Sequence, residues 1–485
     1  MRFLPSSAFA PSGPGYRILP LRFMRWSDRE IFLTNESGEF LFVDRTTFLA
    51  FAEHRLPRSA PEYRALKARH LLADSDSTVP LELLATKVRT KRDFLRGFTR
   101  LHLFVVTLRC DHSCPYCQVS RVTQDRTRFD MSRETAVRAL DLVFQSPAPA
   151  LKIEFQGGEP LLNFDLIRWI VLEAEARNLV HRRDLQFVIA TNLSPLTDQI
   201  LAFCRDHQIH LSTSLDGPRE LHNANRPRSG GSSYDLTVSN IAWARSALGH
   251  DSISALMTTT ERSLKCPKDI VDEYCRQEFN GIFLRSISPF GFATRGNADR
   301  RYDMAAFLAF YREALDHIIS INRAGQAFTE VYAQILLRKI LTPFPTGYVD
   351  LQTPAGAGIN VVAYNYDGDV YASDEARMLA EMGDASFRLG NVHRDDFASI
   401  FGGPTQRALT TASCSETLPG CSECAFVPYC GADPIWNWAT QADPVGHRPT
   451  SAFCEKNMGI IRHLFDLWRR DDPFIRSLFV RWASQ

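Results

Sequence analysis

Leu101-His-Leu-Phe-Val-Val-Thr107, running on through Leu108-Arg-Cys110-Asp-His-Ser-Cys114-Pro-Tyr-Cys117, decides the fold. The first seven residues are an apolar run with two adjacent valines, the pattern of a buried strand. The loop that follows places three cysteines in a C-x3-C-x2-C spacing. Three thiolates on one short loop can take three irons of a cubane and leave the fourth iron open. A structural zinc site is the other reading. Zinc normally adds a fourth ligand near by and paired C-x2-C knuckles, and His112 is the only local candidate. A strand leading straight into the loop favours the cluster.

Outward from this stretch the chain alternates. Strands are expected at Leu101–Thr107, Leu151–Phe155, Leu185–Ala190, His210–Ser214, Ser252–Met257 and Ile282–Ile287. Helices are expected near 133–145, 164–177, 196–206, 235–247 and 268–278. Six strands separated by helices predict a parallel sheet with right-handed crossovers, a partial (β/α)6 TIM-like barrel. Such folds carry function at the carboxyl ends of their strands. The cysteine loop, Gly157-Gly158-Glu159-Pro160, Thr191-Asn192 and Asp216-Gly217 all closely follow expected strands. One shared face is implied.

The barrel is flanked on both sides. Residues 1–95 read as a small α+β module, with strands Arg29–Asn35 and Glu39–Val43 and helices Thr46–His54 and Glu62–Leu72. This order suits a winged-helix-like unit. Residues 96–300 are the barrel core, 301–350 a helical connector, and 351–485 a turn-rich region ending in a helix. The late region holds Cys414 and a C-x2-C-x5-C group, Cys421, Cys424 and Cys430, with Cys454 beyond. Four thiolates so arranged can close an iron–sulfur cluster or a zinc site, and the residues alone do not choose. Cys414 is left without a role. Cys204, Cys266 and Cys275 stand alone and read as small buried hydrophobes.

Composition sets the outer bounds. The 485 residues exceed one hydrophobic core. Lys+Arg 56 against Asp+Glu 55 gives no reason to expect a nucleic acid or an acidic membrane as partner. No apolar stretch reaches membrane-spanning length, and the start lacks a signal-peptide core. The expectation is a soluble, cytoplasmic protein, and clustered cysteines in that compartment mean metal before disulfide.

With these residues in view, the chain resembles the radical S-adenosylmethionine (SAM) superfamily. Tyr116 fills the aromatic position before the third cysteine, and Gly157-Gly158-Glu159 resembles the segment that contacts the SAM amino group. Ser214-Leu-Asp216-Gly217-Pro218, with Arg226 following, is similar to a segment of peptide-modifying members. There the serine touches the SAM ribose or carboxylate and the arginine pairs with the carboxylate. Read without the resemblance, these are a turn and a solvated arginine. Leu256 and Met257 would flank adenine. The implied cofactors are SAM with one [4Fe–4S] cluster on Cys110, Cys114 and Cys117. The implied activity is reductive cleavage of SAM to a 5′-deoxyadenosyl radical.

The late cysteines resemble the SPASM extension of radical SAM maturases, which implies one auxiliary [4Fe–4S] cluster on Cys421, Cys424, Cys430 and Cys454. Two departures stand out. Ser373 and Pro434 occupy positions where a full SPASM domain has cysteines, so the ligands of a further auxiliary cluster are lost. Asp374 follows the first of these; in sulfatase-maturing relatives an aspartate near there acts as a base, while a solvated loop carboxylate is the plain reading. The subfamily match is the B-type maturase of the His-Xaa-Ser system. It is carried by Arg22-Phe-Met-Arg-Trp26, Thr34–Gly38, Arg109–Arg121, Leu418–Cys424, Tyr429–Pro434 and Gly446–Thr450. It implies a His-Xaa-Ser repeat precursor peptide as substrate, a second radical SAM maturase of the same system as partner, and an electron donor such as flavodoxin or ferredoxin. The alternatives are a maturase of a folded protein and a non-catalytic, zinc-stabilised peptide binder. The 1–95 module either recognises a leader peptide or buttresses the barrel.

Overall fold

The computed structural model describes residues 15–74, 77–118, 125–294 and 302–485. The first fourteen positions of the 1–95 unit, Val119–Arg121 of the cysteine-loop segment and positions 295–300 of the barrel core lie outside the described residues.

The amino-terminal strands are β1 (Tyr16–Ile18), β2 (Leu21–Arg25), β3 (Glu30–Asn35), β4 (Phe40–Asp44) and β5 (Leu72–Asp74). β2, β3 and β4 form an antiparallel sheet, and β1 pairs with β5. The β3–β4 turn is built by Asn35, whose Oδ1 accepts from the Ser37 and Glu39 amides at 2.9 and 3.1 Å. Helices Arg45–Ala52 and Pro61–Ala68 form where expected, and Val79–Lys91 adds a third. Phe32 and Phe40 pack on Phe465 of the late helix Ala452–Arg469 at 4.8 and 4.9 Å between ring centres. That helix joins the two ends of the chain.

Five parallel strands make the barrel wall: β6 (Leu101–Thr107), β7 (Ala150–Gly157), β8 (Asp184–Ala190), β9 (His210–Ser214) and β10 (Ile253–Leu256). Helices Arg133–Val143, Phe164–His181, Asp198–Asp206, Ser233–Leu248 and Pro267–Arg276 run between or after them. Several start at the oxygen that the sequence supplies: Ser132, Thr197 and Ser232 accept from the amides of Thr135, Ile200 and Asp235. On β7 the pleat sends Leu151, Ile153 and Phe155 into the core, while Lys152, Glu154 and Gln156 are only half-buried on the opposite, inner face. The inner face of β7 is polar, while its β6 neighbours on that face, Leu101, Leu103 and Val105, are apolar.

The expected sixth strand is shorter than Ile282–Ile287. Only β11 (Gly281–Ile282) pairs, and its partner is β12 (Thr329–Glu330) outside the main sheet. Side chains have taken over the ladder beyond it. Glu330 Oε1 accepts from the Leu284 amide at 3.1 Å and Tyr302 Oη from the Ile287 amide at 2.7 Å. Pro289 then ends the run, since it has no amide to offer. The main sheet grows instead from its other edge. β13 (Val361–Tyr364) lies parallel to β6, and β14 (Asp369–Tyr371) and β15 (Arg388–Asn391) continue it antiparallel, for an order β10-β9-β8-β7-β6-β13-β14-β15. Among the described residues no helix is long and apolar enough to cross a membrane.

His102 is fully buried where β6 meets β13, with Nδ1 3.1 Å from Tyr364 Oη. Burial pushes its pKa down to about 3. The imidazole stays neutral in the fold and protonates in the unfolded chain, so stability is lost as pH falls below about 6.5 and continues to fall toward 3. His102→Gln is expected to remove about 2 kcal/mol of the loss between pH 7 and pH 5. Denaturant titrations of parent and variant at the two pH values check this.

Candidate active site

The cysteine loop begins where β6 ends, and its base is rigid. Arg109 is buried and forks onto Asp130, with Nε to Oδ1 and Nη2 to Oδ2 both at 2.7 Å. Its Nη2 also donates to the Leu162 carbonyl at 2.8 Å. Gly157 and Gly158 lie directly on this base: the Gly158 amide donates to the Thr107 carbonyl at 2.9 Å and the Glu159 amide to the Arg109 carbonyl at 2.7 Å. A Cβ on Gly157, whose φ is +145°, would stand 1.9 Å from the Thr107 oxygen; one on Gly158 would stand 2.2 Å from the Arg109 oxygen. The two glycines are demanded by backbone contact.

Glu159 is fully buried and knots two strand ends together. Its Oε1 accepts from Thr191 Oγ1 at 2.7 Å and the Leu161 amide at 3.0 Å, and its Oε2 from the Asn192 amide at 2.7 Å. Burial pushes its pKa up to about 7 against these donors. Asn192 in turn reaches the loop, donating to Asp111 Oδ1 at 2.8 Å and approaching Cys110 Sγ at 3.9 Å. Asp111 also accepts from Ser194, and its carboxyl is held well below the usual range by hydrogen bonds from His112, Ser194 and Asn192 that outweigh its burial.

His112 does not serve as a fourth ligand. Its Nδ1 lies 3.0 Å from Asp111 and its Nε2 2.9 Å from Ser233 Oγ, so both ring nitrogens have partners. Cys110, Cys114 and Cys117 are half-buried, and burial pushes the thiols of Cys110 and Cys114 up, the latter to about 11. Thiols in such a setting ionise on binding metal. Among the described residues no three His, Cys, Asp or Glu side chains converge on a single-ion position. A cubane does not require it, since each thiolate takes its own iron.

Tyr116, expected before the third cysteine, and Arg226, expected on the SAM carboxylate, both bond Asp216, to which the sequence assigned no role. Tyr116 Oη donates to Asp216 Oδ2 at 2.6 Å, and Arg226 forks onto the same carboxylate at 3.0 and 3.3 Å. The guanidinium also lies over the Tyr116 ring, 5.4 Å from its centre. Asp216 is wholly buried, so the pair is desolvated. It fastens the cysteine loop to the loop after β9. Ser214 ends β9 on the inner face, half-buried, opposite Leu256 of β10. Met257 is buried just beyond. Asp374 stands apart from this group, in the first turn of helix Asp374–Glu381, and accepts from Arg377 Nε at 2.8 Å.

The four late cysteines share one cavity. Cys421, Cys424, Cys430 and Cys454 line a space of about 420 Å3 together with Arg448 and Met24. The amino-terminal sheet braces this segment: Thr34 Oγ1 donates to the Ala425 carbonyl at 2.8 Å, and Tyr429 Oη to the Gly38 carbonyl at 2.8 Å. Burial pushes the thiols of Cys430 and Cys454 up to about 12 and about 11. Arg448 Nε and Nη2 are buried and find no acceptor among the described residues. Unmatched guanidinium donors beside four thiols fit an anionic metal–thiolate centre. Cys414 does not line the cavity. Ser373 and Pro434 have helix-starting roles: Ser373 Oγ accepts from the Ala376 amide at 3.3 Å, and Pro434 opens helix Pro434–Gln441 behind the cap Asp433.

Asp216, Asp111, Asn192 and Asp130 carry the site's polar framework; position after strands hinted at Asn192 and Asp216, and nothing in the sequence hinted at Asp130.

The family described as the radical SAM superfamily matches residues 104–272. An uncharacterized protein of Methanocaldococcus jannaschii is 33% identical over 131 residues, which make up 27% of this chain and 43% of that relative. The chain therefore matches less than half of that relative's length. Among solved structures, native anSMEcpe with bound AdoMet superposes with a TM-score of 0.64 at 16% identity, covering 79% of this chain and 99% of the other. Streptococcus suis SuiB bound to precursor peptide SuiA gives a TM-score of 0.53 at 14% identity, covering 90% and 99%. At these identities the likeness is one of fold. Together with the cysteine loop and its setting, the match identifies residues 104–272 as a radical SAM superfamily domain.

Proposed function

We propose that the chain is a radical SAM maturase that modifies a ribosomally made His-Xaa-Ser repeat peptide. The observation that carries this reading is the second cysteine set. Cys421, Cys424, Cys430 and Cys454 line one cavity with the unmatched donors of Arg448, as a SPASM-like auxiliary [4Fe–4S] site would require. The subfamily segments named above supply the substrate, and the SuiB structure with its precursor peptide is consistent with a peptide in this fold. When bound at Cys110, Cys114 and Cys117, the cluster and SAM supply a 5′-deoxyadenosyl radical that takes hydrogen from carbon.

The protein's own residues hold and shield. Gly157 and Gly158 let the backbone after β7 approach the loop, Glu159 and Asn192 fix it, and Ser214 faces inward for the SAM ribose or carboxylate. Arg226 and Tyr116 close the side of the loop through Asp216. Asp374 is the proposed base toward the substrate. The enclosing barrel keeps water from a reactive radical. The amino-terminal module is assigned to leader recognition: among the described residues β4 pairs with β3 alone, and the edge left there suits an extended peptide. An electron donor such as flavodoxin or ferredoxin and a second radical SAM maturase complete the proposed system.

The test is mass spectrometry of a His-Xaa-Ser peptide co-expressed with the chain. A mass change is expected with the parent. The Cys424→Ala, Cys430→Ala double variant should still form 5′-deoxyadenosine yet give less than about a tenth of the product. Product at the parental level would make the late site structural, and zinc would become its better occupant.

A further inference from the structure

Arg22, Lys339 and Arg448 stand around the cavity of about 420 Å3 that Cys421, Cys424, Cys430 and Cys454 line. Each cation favours the thiolate of a different cysteine: Arg22 that of Cys424, Lys339 that of Cys430 and Arg448 that of Cys454. Two of the three are already engaged. Arg22 donates from Nε to the Ser422 carbonyl at 2.5 Å and pairs with Glu36 at 2.9 Å. Lys339 Nζ donates to the Cys430 carbonyl at 3.0 Å and to the Leu351 carbonyl. Arg448 differs. Its Nε and Nη2 are buried and find no acceptor among the described residues. The carboxylates next to the cysteines in sequence, Glu423 and Glu455, are exposed, where solvent screens them.

The Arg448 side chain is held at both ends of the cysteine set. Arg448 opens the turn Arg448–Thr450, directly before the helix Ala452–Arg469 that carries Cys454. Its carbonyl accepts from the Ser451 amide at 3.1 Å, and Ser451 Oγ accepts from the Cys454 amide at 3.3 Å. Its stem meets the other end: a Cβ on Gly420, the residue before Cys421, would stand 3.1 Å from Arg448 Cγ. A buried guanidinium fixed in this way cannot turn to water for its missing partners. Unmatched donors of this kind call for an acceptor. Sulfur ligands that carry net negative charge are one.

We propose that Arg448 sets the reduction potential of a cluster on Cys421, Cys424, Cys430 and Cys454, its Nε–H and Nη2–H donating to the sulfur around the irons. The inference rests on the auxiliary-cluster reading above and adds a direction to it. Reduction adds one negative charge to a centre that is already anionic, and a fixed cation stabilises that added charge. Hydrogen bonds to sulfur are a second lever on the same potential. The late site is thereby biased toward taking up an electron. Zinc would gain nothing here, having no redox chemistry.

Potentiometric titration of the full-length, anaerobically reconstituted protein, followed by electron paramagnetic resonance, tests this. The late signal is the one lost in the Cys424→Ala, Cys430→Ala variant. Arg448→Met is expected to cut the ratio of reduced to oxidised late cluster at least tenfold at the parental midpoint, a fall of about 59 mV for one electron. The midpoint of the cluster on Cys110, Cys114 and Cys117 should stay in place. Arg448→Lys keeps the charge and should recover more than half of the fall. An unmoved late midpoint in Arg448→Met overturns the inference. An equal fall at both clusters does so too, since a general loosening of the fold would give that. If Arg448→Met loses the late iron, Arg448→Gln decides, with the same fall expected. If the Cys424→Ala, Cys430→Ala variant holds as much iron as the parent, the auxiliary-cluster reading falls and takes the inference with it.

Discussion

A variant with Cys110, Cys114 and Cys117 all replaced by alanine is expected to form no 5′-deoxyadenosine and to hold about half the iron of the parent after anaerobic reconstitution. In the proposed reading three of these seven thiols serve one site and four the other, and the two groups have separate supports. The first hangs from β6 and is tied down by Asn192 and Asp216; the second sits between the amino-terminal sheet and helix Ala452–Arg469. Loss of one therefore leaves the other's scaffold in place. Iron and sulfide analysis alongside chromatography of the nucleoside product reads both outcomes. Persistent 5′-deoxyadenosine would remove the cysteine loop from the reaction.

The second large effect concerns one atom that the protein lacks. Gly158→Ala would place a methyl 2.2 Å from the Arg109 carbonyl oxygen and 2.6 Å from that of Leu108, backbone atoms with no rotamer to yield. Either β7 or the start of the cysteine loop must shift. A destabilisation of about 3 kcal/mol or more is expected, with iron lost from the first site and kept at the second. Gly402→Ala is the control, because nothing lies within 4 Å of its added Cβ; it should stay within about 0.5 kcal/mol of the parent. Thermal unfolding and iron content of the two variants make the comparison. If Gly158→Ala keeps full iron and stability, close backbone contact is not what the glycine is for.

These glycines show how far the residues alone can be read. The position of Gly157-Gly158-Glu159 after a strand located the site, and the resemblance directed Glu159 to the SAM amino group. The fold adds what no local pattern carries: the glycines meet the Thr107 and Arg109 carbonyls, and the Glu159 carboxylate is engaged by Thr191, Leu161 and Asn192. Tyr116 and Arg226 were each legible, whereas Asp216 between them looked like a turn residue. Its importance comes from a contact 100 positions away in sequence. Periodicity located β6 to β10 and their helices well. It overran at Ile282–Ile287 because apolar content there does not reveal that Glu330 and Tyr302 would take the backbone donors.

The place of β13 has a consequence for how the protein is made. β6 is flanked by β7 on one side and by Val361–Tyr364 on the other, so its second neighbour arrives about 250 residues after it. At ribosomal speeds of about 5–20 residues per second, that is on the order of ten to fifty seconds of synthesis. Throughout that interval Leu101-His-Leu-Phe-Val-Val-Thr107 offers an unpaired apolar edge, the kind of surface on which nascent chains associate with one another. The strand that delivers the first three cysteines is thus the last of the barrel wall to be covered. Yield in a cell should depend on holdase chaperones through that interval.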